Sequence, residues 1–159
     1  MIKESSNHCE VYEVDACEVE TKLLKSRDHP YSVILISSPH DRGDSATVKK
    51  LLDSEKIPNI LVAEEYPDRM KHLPQSATEW IGPILFFSST LISQNPQLID
   101  ITIGIIGNYL SDIFFGAKSD NVAKFSIIHQ EDEHKYTKID YNGPVDGIDK
   151  VKDIVKQLK

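Results

Sequence analysis

Between Trp80 and Phe115 the chain carries apolar residues at a density that no domain leaves in water, so any fold must first hide this stretch. Its first piece holds Ile81, Ile84, Leu85, Phe86, Phe87, Leu91 and Ile92. Asn95-Pro96 then has the form of a helix cap followed by a proline at the first helical position. Beyond it, Leu98, Ile99, Ile101, Ile103, Ile105, Ile106, Tyr109, Leu110, Ile113, Phe114 and Phe115 run nearly all the way round a helix, and Gly116 is placed to end it. Just upstream, Ser76-Ala77-Thr78-Glu79 has capping-box form. These signs predict a pair of apolar helices over residues 80–115.

Such a pair can hide in a membrane, in the core, or against another protein. A membrane span needs about 20 mainly apolar residues. The first piece is about half that length and holds Pro83, and Asp100, Asn108 and Asp112 interrupt the second. Each aspartate at mid-bilayer depth costs about 2.5 kcal/mol or more, which argues against a stable span. Helices that are apolar all round belong in cores, so the plain expectation is a buried pair packed on one face of a sheet. The sharper expectation is that part of this surface is shared with a protein partner, most simply a second copy in a homodimer. Trp80, Phe86, Phe87, Ile103, Tyr109 and Phe114 are then the interface candidates, with Trp80 the first choice as an anchor. Gly104 and Gly107, three apart on nearby helix faces, would let another backbone come close. They lack the preceding strand and following lysine of a phosphate loop.

The rest of the chain supplies the sheet. Tyr31 to Ser37 is a continuous, β-branched apolar run, the pattern of a strand covered on both faces. A helix capped by Asp44 or Ser45, with Val48, Leu51 and Leu52 as its stripe, leads to a second such strand, Asn59 to Ala63. Strand, helix and strand make a βαβ unit. Tyr12, Val14 and Ala16 alternate along a half-buried strand near the N-terminus, with a bulge or strand end near Ala16-Cys17 and a short helical turn after it. Val122 to His129 and Lys135 to Tyr141 form a hairpin around Glu131-Asp132-Glu133-His134. Val145, Ile148, Val151, Ile154, Val155 and Leu158 keep helical spacing in a final amphipathic helix. The predicted fold is α/β: a single domain over residues 9–159 after a disordered N-terminus, 1–8. Its small mixed sheet combines one βαβ unit with a C-terminal β-hairpin, the apolar helical pair and the C-terminal helix.

A chain of 159 residues buries enough surface to fold without disulfides or metals. Its formal net charge of −7 opposes binding to phosphate backbones and anionic membranes, so no nucleic-acid partner is expected. Cys9 and Cys17 are spaced for neither a redox nor a zinc pair and read as reduced thiols. Residues 1–7 contain no apolar core of a signal peptide, and a cytoplasmic location is expected.

No motif names a reaction or a cofactor. In open sheets, ligands bind beyond the carboxyl ends of parallel strands. That rule brings Ser38, His40 and Asp41, after the first βαβ strand, beside Glu64 and Glu65, after the second. Histidine and carboxylates there would suit a divalent cation or general acid–base chemistry, although turn formation and solvated charge explain the same residues. Neither serine lies in a G-x-S-x-G elbow. His129 and His134 flank the acidic hairpin loop, where a solvated loop is the simpler reading. The leading functional expectation is a non-enzymatic interaction or regulatory module acting through residues 80–115. The alternative is a small enzyme or ligand-binding domain with its site at His40, Asp41, Glu64 and Glu65.

Overall fold

The computed structural model describes residues 2–5, 8–22, 29–37, 44–63, 79–114 and 122–157. Seven strands form one mixed sheet: β1 (Ile2–Ser5), β2 (Cys9–Val14), β3 (Val33–Ser37), β4 (Asn59–Ala63), β5 (Glu79–Phe87), β6 (Val122–Asp132) and β7 (Lys135–Pro144), in the order β1-β2-β7-β6-β5-β3-β4. The helices are α1 (Ala16–Lys22), α2 (Asp44–Ser54), α3 (Ser89–Gln94), α4 (Leu98–Ile113) and α5 (Asp149–Gln157). The α/β class, the βαβ unit, the C-terminal hairpin and the final helix thus stand as the sequence predicts.

The β-branched run of β3 is buried along its whole length, as a strand covered on both faces must be. It pairs in parallel with β4 through α2, and β5 pairs in parallel with β6 through α3 and α4. The two units meet where β3 runs antiparallel to β5. Residues of α2, α4 and α5 share one core cluster with Val33, Leu35, Leu85 and Phe87, so both crossovers lie on the same face. Two crossovers of one hand on one face, running in opposite directions, must step outwards from their shared boundary. The observed strand order does so.

The apolar stretch is not helical from its start. Glu79–Phe87 is strand β5, and the helices begin only at Ser89. Short apolar runs suit a buried strand as well as a helix, and here sheet pairing on both sides decides. Gly82-Pro83 marks a β-bulge: Ile81 pairs with Lys124 but Ile84 with Ser126, so β5 carries one extra residue. The bulge also restores phase, bringing Trp80 onto the same face as Leu85 and Phe87. Asn95 does not cap α4. It is the C-cap of α3, and α4 starts at Leu98 behind Gln97, whose side chain makes no capping bond. Residues 76–78 of the capping box and the stop at Gly116 lie outside the described residues, and Glu79, the last of the box, opens strand β5 and not a helix.

At the N-terminus, residues 2–5 pair antiparallel with β2 as an edge strand, where composition alone predicts a frayed end. Main-chain pairing needs no apolar side chains, so composition is a weak guide there. Helix α2 closes in a Schellman motif: Ile57 N–H donates to Leu52 O (2.9 Å) and Lys56 N–H to Asp53 O (3.0 Å). Lys56 takes the left-handed conformation that the motif requires, with φ 60°. Among the described residues no helix is long and apolar enough to cross a membrane.

Candidate functional site

Strand alternation sends every second side chain to the face opposite α2, α4 and α5. Ile34, Ile36, Phe86, Ile128 and Tyr136 form a second, smaller cluster there, with Val19 of α1 packed on it. Register sets Ile34 beside Phe86 and Phe86 beside Ile128, a band across three strands.

At one end of this band lies a pocket of about 370 Å³, at the lower end of the range of small-ligand sites. Ile34, Phe86 and Tyr136 make its floor. The Phe86 and Tyr136 rings, only 6% and 5% exposed, lie 6.1 Å apart and tilted by 39°. Ser88 and Gln130 enter from the carboxyl ends of β5 and β6. Ser32, Pro30 and His29 come from the chain leading into β3, Glu20 from α1 and Glu133 from the tip of the β6–β7 hairpin.

The polar groups are held in place. Tyr136 Oη donates to Glu20 Oε1 at 3.4 Å, and burial, reinforced by the Glu20 charge, raises the phenol pKa so that it stays a neutral donor. Gln130 Oε1 accepts from Ser89 N–H at 3.1 Å. A backbone amide can only donate, so this bond fixes the side-chain orientation and leaves the Nε2 amino group as its other end. Ser88 Oγ accepts from Leu91 N–H (3.1 Å) as the cap of α3 and donates to Pro30 O (2.8 Å). Its hydroxyl is committed to structure and unsuited to act as a nucleophile.

The pocket lies at the carboxyl ends of the β5–β6 pair, not at those of β3–β4. The antiparallel β3–β5 contact puts that end of the sheet opposite the one predicted from the first βαβ unit. Ser38, His40, Asp41, Glu64 and Glu65 all lie outside the described residues. Of the interface candidates, Trp80, Phe87 and Ile103 are buried between the sheet and its helices, and Phe86 floors the pocket. Tyr109 and Phe114 are half-buried against the same core. The large apolar side chains that α4 does expose are Ile101 (44%) and Ile113 (47%). No backbone comes close to Gly104 or Gly107 among the described residues: a Cβ at Gly107 would meet nothing within 4 Å, and one at Gly104 only Lys152 Nζ. At the hairpin, His129 is buried and His134 exposed. Among the described residues no group of three or more His, Cys, Asp or Glu could hold a metal ion.

The same face carries a polar network that sequence reading missed. Asp140 accepts from Tyr12 Oη and Ser126 Oγ, each at 2.5 Å, with Lys138 Nζ at 3.7 Å. Cross-strand register, invisible in the linear sequence, brings these groups together. They satisfy one another and serve as a sheet clamp.

No family model matches the chain, and no curated protein or solved structure shows significant similarity to it.

Proposed function

We propose that this chain is a non-enzymatic ligand-binding domain that takes a small molecule in the pocket over Phe86 and Tyr136. The observation that carries this reading is a buried aromatic floor ringed by polar groups that its own fold holds in fixed positions. Of the two serines in the lining, Ser88 at the strand end has its hydroxyl taken by the α3 cap, which favours binding over catalysis there. A protein-observed NMR screen with aromatic fragments tests it. Hits are expected to shift the amides of Phe86, Gln130 and Tyr136, and Ser32→Trp, which fills the pocket from its rim, is expected to abolish those shifts. A screen that leaves these amides untouched sinks the proposal.

A second reading, association through the outer side of α4, rests on the exposure of Ile101 and Ile113. It predicts a dimer in sedimentation that Ile101→Asp dissociates. A monomer across the accessible concentration range ends it.

A further inference from the structure

The charge around the pocket points to the kind of molecule it would hold. Two carboxylates, Glu20 and Glu133, line it, and among its described lining residues there is no lysine or arginine. The nearby cation of the hairpin, Lys135, is already committed, with Nζ 3.1 Å from Glu131 and 3.9 Å from Glu13. His134 stands 3.9 Å from Glu20 but is 81% exposed, where solvent screens the pair. Glu20 spends one acceptor position on Tyr136 and keeps others for a ligand. The two floor rings line the cavity 6.1 Å apart and tilted by 39°, and aromatic rings attract a cation placed over their faces. An anion would find neutral donors only, from Gln130, Ser32 and the His29 ring, set against two repelling carboxylates. The net charge of −7 adds a field of the same sign.

Resting on the reading of this pocket as a ligand site, we propose that it selects an organic cation. The ligand is an alkyl- or arylammonium whose apolar body lies on Phe86 and Tyr136 and whose charged nitrogen is met by Glu20 and Glu133. A ligand nitrogen with several N–H groups would donate to both carboxylates, while the ring system covers apolar surface now facing water.

Three probes that share one ring system test the selection: tryptamine, 3-methylindole and indole-3-propionate, titrated against the whole chain by NMR. Tryptamine is expected to bind about tenfold more tightly than 3-methylindole, with indole-3-propionate weakest, from two part-exposed charge pairs and the ring contact. In the double variant Glu20→Gln/Glu133→Gln the preference is expected to shrink to within about twofold, with 3-methylindole unaffected, because the amide oxygens keep the hydrogen bonds and lose the charge. Added salt is expected to erode the preference in the native chain only. Indoles that shift Phe86 and Tyr136 without favouring the cation overturn the ligand class and leave the pocket standing. A cation preference that survives in the double variant overturns it too, since the carboxylates would not be its source. If none of the probes perturbs the pocket, the inference and the underlying reading fall together.

Discussion

Replacing Gly82 by alanine tests the most constrained joint in the sheet. A Cβ at this position would stand 2.3 Å from Cη2 and 2.5 Å from Cζ3 of Trp80, whereas carbon atoms sit comfortably at about 3.5–4.0 Å. Clearing the clash means moving the indole by more than about 1 Å, by the same contact distance. The ring has nowhere to go: it is 3% exposed and packed edge-on against Phe125 at 6.5 Å. Overpacking of this kind costs about 1–3 kcal/mol, and the reduced freedom of the unfolded alanine chain returns about 0.4–1 kcal/mol. The net expectation is a loss of about 1–2 kcal/mol, or about 2–8 °C in Tm for a chain of this size. Trp80 is the sole tryptophan, so its fluorescence follows urea unfolding and reports on the residue that is displaced. In a Trp80→Leu background, where no tryptophan remains and unfolding is followed by far-UV circular dichroism, the alanine should cost much less, and the difference measures the contact directly. A Gly82→Ala protein within about 0.5 kcal/mol of the native one, with unchanged emission, would refute the reasoning. So would an equal loss in both backgrounds.

Three further outcomes follow from other features. Lys56→Gly should raise stability by about 0.5–1 kcal/mol, because glycine holds the left-handed C′ position without the Cβ penalty; an unchanged denaturation midpoint would contradict this. Gly107→Ala should stabilise α4 by about 0.8–1.0 kcal/mol, since the added methyl meets nothing within 4 Å; destabilisation would show that something packs there. Burial, and then the charges of Cys9 and Asp146, push the Tyr141 phenol from 10.0 up to about 12, so the folded state holds its proton where the unfolded state has lost it. Its contribution is therefore present in full below pH 10 and disappears as pH rises towards 12, a loss of about 2–3 kcal/mol that urea titrations should show and Tyr141→Phe should flatten.

The parts of this fold that were legible in the sequence are those set by local pattern. The two strands flanking α2 are short β-branched runs bounded by turn residues, and the hairpin around Glu133-His134 and the stripe Val151, Ile154, Val155 carry local patterns that one element satisfies. The first apolar piece after Trp80 carries none, because a strand buried on both faces and a buried helix look alike over so few residues. Gly82 and Pro83 sit in the bulge, where a residue leaves the ladder and neither disrupts the pairing. The pocket was not legible. Glu20, Phe86 and Tyr136 are distant in sequence, and what unites them is the antiparallel joint between β3 and β5. That joint reverses the β5–β6 unit, so its carboxyl ends, and the pocket with them, lie at the opposite end of the strands from those of β3–β4. A single strand misread as a helix was enough to hide it, since without β5 the β3–β4 ends are the one place where parallel strands finish together.

The same joint explains why a pocket exists at all. Same-handed crossovers that diverge from an antiparallel boundary put α2 and α4 on one face, and α5 joins them there. That face is sealed, and it takes the larger cluster, including Phe87, Leu110 and Ile127. The opposite face inherits strands whose alternate residues are just as apolar: Ile34, Ile36, Phe86 and Ile128. Among the described residues, the helix laid on it is α1, seven residues long, which buries Val19 and reaches Tyr136 through Glu20. Where β7 and β2 take over, the face turns polar and closes itself through Asp140, Tyr12 and Ser126. Between the end of α1 and the first turn of α3, the apolar floor has rings beneath it and fixed polar groups around it, with a cavity in place of a side chain. If the cavity were only a packing fault, filling it from the rim with Ser32→Trp should stabilise the chain, as cavity-filling substitutions commonly do by about 0.5–2 kcal/mol, and cost no binding. If it is a ligand site, the same substitution should stabilise the chain and abolish fragment binding at Phe86 and Tyr136, and that second readout separates a defect from a function.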